Sequence, residues 1–213
     1  MVLFEGVEFI PFEIDNFKLN LKRVLLEIEK DFLEKMHSYF TLSTSPQPID
    51  IEFFLGLPSF NQGEMKIQLP YNANDFVPDK CLNSLTHISH ACTHEIGHYL
   101  HSSVNREFCG IKIKPYYQIK SKRDRDIYLL RECVAELSAL AFFDISGRPL
   151  SSEVISHKQH SLMNTLYDFY CEKGRDYCIN MINSLAILRL SETNYKDIID
   201  IGRKGWMGRP KIK

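Results

Sequence analysis

The sequence predicts an α+β fold: a small N-terminal antiparallel or mixed sheet, then a helix that carries the chemistry, then a mostly helical C-terminal half. Short β-branched and aromatic runs are confined to residues 49–69, and helical periodicity flanks them on both sides. Neither an internal repeat nor a low-complexity tract interrupts the pattern. At 213 residues the chain is long enough for one domain with a sizeable core, so residues 1–213 are expected to form one unit.

From Phe17 to Phe40, Leu19, Leu21, Val24, Leu25, Ile28, Phe32, Leu33 and Met36 recur at three- and four-residue steps with Lys, Arg and Glu between them, which predicts an amphipathic helix. The prolines of TSPQP at 44–48 end it, since proline cannot continue a helical ladder. Ile49–Leu57 and Met65–Leu69 read as two strands joined by a turn at PSFNQG, with Pro70 closing the second. A helix is expected from about Asp79 to His101, on the spacing of Leu82, Leu85, Ile88, Cys92, Ile96 and Tyr99. Another is expected from about Arg123 to Phe143, with Gly147 and Pro149 as its stop. Helical patterns at about Ser152–Cys171 and Asp176–Leu190 precede a mixed tail that ends in GRKGWMGRPKIK, whose Arg203, Lys204, Arg209, Lys211 and Lys213 are expected in a solvated terminus.

Lys plus Arg number 26 against 27 Asp plus Glu, a formal net charge of -1, so the balance offers no field for nucleic acid or an anionic membrane. The N-terminus, MVLFEGVEFIPFEID, has neither a basic region nor a sustained apolar run. No stretch approaches the roughly 18 apolar residues of a membrane helix. A soluble, cytoplasmic protein is expected. Its six cysteines (Cys81, Cys92, Cys109, Cys133, Cys171, Cys178) form no CxxC pair and several fall in apolar helical patterns, so they are expected as free thiols.

Residues 94–98 read H-E-I-G-H. On a helix, positions i and i+4 lie one above the other, so His94 and His98 can converge on one ion, at about 2.0–2.1 Å per bond for zinc. Glu95 projects about 100° round the axis, beside such an ion, where a base for an activated water belongs. The later segment IYLLRECVAELSALAFF, Ile127–Phe143, carries only Arg131, Glu132 and Glu136 as formal charges. A helix so apolar is expected to be buried, and an unpaired carboxylate there would cost several kcal/mol or stay protonated. A metal ion removes that cost. An ordinary ion pair of these acids with Arg131 or Lys120 is the plainer alternative.

These residues resemble the gluzincin metallopeptidases, in which the HExxH helix is followed by a second helix whose Glu is the third zinc ligand, in a pattern Glu-x-x-Ala or Glu-x-x-x-Asp. The matching stretch here is E-C-V-A-E, Glu132–Glu136. The resemblance spans about residues 51–143, with residues 150–213 as a helical addition, and it implies a zincin-like fold. It implies zinc held by His94, His98 and Glu132, with Glu136, where Asp is commoner, orienting a ligand imidazole. It also implies a zinc-dependent endopeptidase with Glu95 as general base, acting on a peptide or protein substrate. A catalytically silent zinc-binding regulatory or interaction protein of the same fold is the alternative. A metzincin is excluded by its own ligand pattern, since His101 stands at its glycine position and Val104 at its third histidine.

His87, His90 and His101 extend the same polar stripe as outer, rim or surface histidines, and a His90–His94 metal pair is geometrically possible. Tyr116, Tyr117, His157, His160, Tyr167 and Tyr170 are candidate oxyanion donors, none singled out by spacing. The alternation of Met65, Ile67 and Leu69 with Lys66 and Gln68 predicts a strand with one wet face. Gluzincin-like folds place such a strand at the rim of the cleft. Lys66, Ile67 and Gln68 are therefore expected to offer a free edge to which an extended peptide adds.

Overall fold

The computed structural model of the protein describes residues 14–39, 49–54, 58–61, 64–70, 81–104, 119–148, 150, 161–185 and 196–207. Three strands, β1 (Asp50–Phe54), β2 (Ser59–Asn61) and β3 (Lys66–Pro70), form one sheet. The described helices are α1 (Ile14–Tyr39), α2 (Cys81–Val104), α3 (Lys122–Ile145), α4 (Ser161–Lys173), α5 (Arg175–Leu185) and α6 (Lys196–Met207). The architecture is α+β and mostly helical. No described helix is long and apolar enough to cross a membrane.

The sheet has the order β1-β3-β2 and is mixed. β1 runs parallel to β3, with Ile51 opposite Ile67 and Phe53 opposite Leu69, and β2 runs antiparallel to it, with Phe60 opposite Ile67. The expected pair of strands joined by a turn is thereby corrected, because Ser59–Asn61 within the presumed turn is itself a strand. Parallel partners need a crossover, and the excursion through β2 supplies it. The expected free edge at Lys66, Ile67 and Gln68 is corrected for the same reason: this segment is the inner strand, paired with β1 on one side and β2 on the other. A substrate strand has no backbone groups to meet there. The predicted alternation itself is present. Ile67 and Leu69 are fully buried, while the Lys66 ammonium lies 3.6 Å from the Glu52 carboxylate and the Gln68 amide donates to it at 3.2 Å.

The apolar stripe of α1 buries Leu21, Val24, Leu25, Ile28, Phe32 and Met36, although Leu19, counted in that stripe, is 67% exposed. α3 starts where Ser121 caps it, the hydroxyl accepting the Asp124 N–H at 3.0 Å, and stops at Ser146 ahead of Gly147, whose φ is 69°. Every residue from Cys133 to Phe143 is buried, so α3 is the central helix. Helices α1, α2, α4, α5 and α6 all pack against it.

The expected mixed tail is corrected by α6, which lies against α3 and α4. Two glycines make the segment a poor helix former in isolation. In the fold they are contact points: a Cβ on Gly202 would stand 3.1 Å from the Cys133 sulfur, and one on Gly205 would stand 2.7 Å from the Leu162 Cα. Arg203, expected in a solvated terminus, instead clamps α6 to the first turns of α3, donating to Asp126 at 2.7 and 3.1 Å and to Asp200 at 3.2 Å. Arg209, Lys211 and Lys213 lie outside the described residues. Cys92, Cys133, Cys171 and Cys178 are free thiols, and the side chains of Cys81 and Cys109 lie outside the described set.

Candidate metal centre

The site is assembled where α2 and α3 touch. A Cβ on Gly97 would stand 2.6 Å from the Ala135 carbonyl oxygen and 2.7 Å from the Ala135 Cα, so only a hydrogen fits between the two backbones. His94 lies three residues before Gly97 and His98 one after it. Glu132 and Glu136 stand in the same relation to Ala135. The contact therefore presses two imidazoles against two carboxylates.

His94, Glu95 and His98 are buried, at 7%, 5% and 8% exposure, and their donor atoms lie within 4.8 Å of one another. The two imidazoles are perpendicular, with centroids 4.9 Å apart. Together the three residues could hold a metal ion. Glu132 reaches the same point: one carboxylate oxygen lies 3.5 Å from His94 Nε2, and the other lies 3.7 Å from His98 Nε2. Those separations exceed the usual N–H···O range of about 2.7–3.2 Å. They are close to the edge of a tetrahedron with bonds of about 2.0–2.1 Å, which is about 3.3 Å. The donor set thus fits a small cation better than it fits a direct hydrogen bond.

Glu136 is fully buried and bonded on both oxygens: His94 Nδ1–H donates to Oε2 at 2.8 Å, and His90 Nε2–H donates to Oε1 at 2.9 Å. A carboxylate that is ionised can only accept, so both nitrogens carry the hydrogen. That leaves His94 Nε2 turned to Glu132 and His98.

The buried imidazoles and carboxylates shift one another. Burial alone would push His94 down, but the nearby Glu132 and Glu136 carboxylates outweigh it and raise the imidazole to about 10. Burial likewise works against the charged form of Glu132, yet His94, His98 and Arg131 hold it down at about 2. Glu136 is held well below the usual carboxylate range, its burial outweighed by His90 and His94. The two acids draw onto His94 a proton whose charge a bound cation would otherwise supply.

The fold brings together His94, Glu95, His98, Glu132 and Glu136, and it leaves Lys66, Ile67 and Gln68 in the inner strand. Three residues that spacing did not assign to the centre belong to it. Gly97 sets the helix contact, and its signal is a glycine in the interior of a buried helix. His90, expected among the outer, rim or surface histidines, is fully buried, and it shares Glu136 with His94. Arg131, weighed only as a partner for the acids, feels the charges of both Glu132 and Glu95. Of the oxyanion candidates, the Tyr167 hydroxyl donates to the Leu150 carbonyl at 3.2 Å and that of Tyr170 to Asp144 at 3.0 Å. Tyr116, Tyr117, His157 and His160 lie outside the described residues, as does the side chain of His101.

No family model, curated protein or solved structure matches this chain.

Proposed function

We propose that the chain is a zinc-dependent endopeptidase of the gluzincin kind, with His94, His98 and Glu132 as ligands and Glu95 as general base. One observation carries the proposal: the two oxygens of Glu132, from a separate helix, face the Nε2 atoms of His94 and His98 at 3.5 and 3.7 Å. A structural zinc site closes all four positions, usually with Cys and His, whereas two His and one Glu leave a position for water and substrate. Zinc, when bound, supplies Lewis-acid polarisation of an amide carbonyl and a more acidic water. Glu95, on the helical turn between the two histidines, accepts the water's proton and delivers it to the leaving amine. Glu136 keeps His94 in the tautomer with Nε2 free. Burial of His94, Glu95, His98 and Glu136 strengthens their interactions by excluding water.

An extended substrate has to use an outer strand of the sheet, and β2 is the one beside the centre. Its Phe60 ring lies 5.7 Å from that of Tyr99, the neighbour of His98, and among the described residues its far edge pairs with no strand.

The test is a peptide-library digest by zinc-loaded protein, beside Glu95→Gln. Cleavage by the wild type is expected, and the variant should keep one zinc per chain with turnover abolished. Stoichiometric zinc without cleavage in the wild type would instead assign the centre to a catalytically silent binding protein. Loss of zinc in Glu95→Gln would make Glu95 a ligand.

A further inference from the structure

We infer that His90 is a positioning residue of the metal centre, acting through Glu136 on His94. The inference rests on the zinc site proposed above. The last torsion of a glutamate side chain is broad, so a carboxylate held at one oxygen keeps freedom to swing. Glu136 is held at both: His90 donates to Oε1 at 2.9 Å and His94 to Oε2 at 2.8 Å. The plane of the carboxylate is therefore fixed by His90, and with it the direction in which His94 must point its Nδ1–H. The opposite nitrogen, Nε2, is then aimed at Glu132 and His98.

His90 is itself immobilised. It is fully buried, its ring packs edge-on against Phe143 with centroids 6.5 Å apart, and its carbonyl accepts the Thr93 hydroxyl at 3.0 Å. Phe143 in turn packs on Phe142 at 5.5 Å, within the run of buried residues that makes α3 the centre of the core. The chain His90–Glu136–His94 thus ties a ligand imidazole to the rigid core on a second side, in addition to its own helix. A histidine one helical turn before the first ligand serves this purpose because it lies on the same face. Outer partners of a ligand histidine set its orientation and basicity, and their loss typically costs about 10- to 100-fold in metal affinity.

The experiment compares His90→Phe, which keeps a ring and removes the donor, with His90→Gln, whose amide NH2 can again donate to Oε1. Zinc affinity is measured by chelator competition, and melting is measured on the metal-free proteins. The expected result is a 10- to 100-fold weaker affinity for His90→Phe and recovery of most of it by His90→Gln. The affinities should not follow the order of the metal-free melting temperatures, as they would for a merely structural residue. An unchanged affinity in His90→Phe, or an equal loss in both variants, overturns the inference while leaving the zinc site standing. A wild-type chain that takes up no zinc overturns both. Should His90→Phe not fold, His90→Asn replaces it: the shorter amide stops short of Oε1, so it must bind zinc more weakly than His90→Gln, and equality overturns the inference.

Discussion

Replacing Gly97 with alanine tests what places the two acids. The new Cβ would sit 2.6–2.7 Å from Ala135 backbone atoms, where ordinary contact begins at 3.4 Å, so α2 and α3 must separate by about 0.7 Å. Neither contact atom is the end of a flexible side chain, and relief can come only from moving a helix. A shift of that size lengthens the Glu136–His94 hydrogen bond from 2.8 Å to about 3.5 Å, beyond useful geometry. Overpacking of this kind costs about 1–3 kcal/mol, which for a chain of this length lowers Tm by about 2–12 °C. Zinc affinity should fall at least about 10-fold in addition, because the outer acid and the third ligand recede together. The assays are thermal melting of the metal-free protein and chelator competition for zinc. Gly147→Ala is the control: Gly147 has a φ of 69° with nothing within 4 Å of its Cβ position, so alanine there costs about 1–2 kcal/mol of backbone strain without touching the site. It should melt lower and bind zinc as the wild type does. A folded Gly97→Ala with wild-type Tm and zinc affinity would refute the claim that this close approach holds the carboxylates in place.

Glu132→Ala should weaken zinc more than Glu136→Ala, since the first removes a ligand and the second an outer partner worth about 10- to 100-fold; the reverse order in competition titrations would exchange their roles. Glu29 on α1 gives a pH-dependent stability effect. It is 7% exposed, its Oε1 has no hydrogen-bond partner, and burial raises its pKa above 4.5 against the opposing bond from the Ile49 N–H. An acid whose folded pKa is raised makes the fold less stable as pH climbs past its unfolded value, so the penalty is absent below about 4.5 and present at neutral pH. Glu29→Gln is therefore expected to raise Tm at pH 7.5 and not at pH 4, and a pH-independent change in Tm would refute the assignment.

The elements whose signal is local periodicity were legible in the chain. The stripe of α1, the largely apolar run of α3 and the i, i+4 spacing of His94 and His98 each encode a face or a depth of burial, and side chains carry that information wherever the helix is later placed. The pairing of Glu132 and Glu136 with the histidine helix came from the resemblance, because the charges alone left an ion pair with Arg131 or Lys120 equally open.

Strand partnership was not legible. β2 is three residues long, too short for a period of two to register, and only its hydrogen bonds to Lys66–Gln68 turn a presumed edge into an inner strand. α6 was hidden for a related reason: Gly202 and Gly205 count against a helix in isolation and favour one only when α3 and α4 lie within a methyl group's reach. His90 shows the division most clearly. The sequence determined that it shares a face with His94, since helical geometry is local. Whether that face meets solvent, a metal or Glu136 depends on the approach of α3 at Gly97, a contact between residues 38 positions apart that only tertiary packing decides.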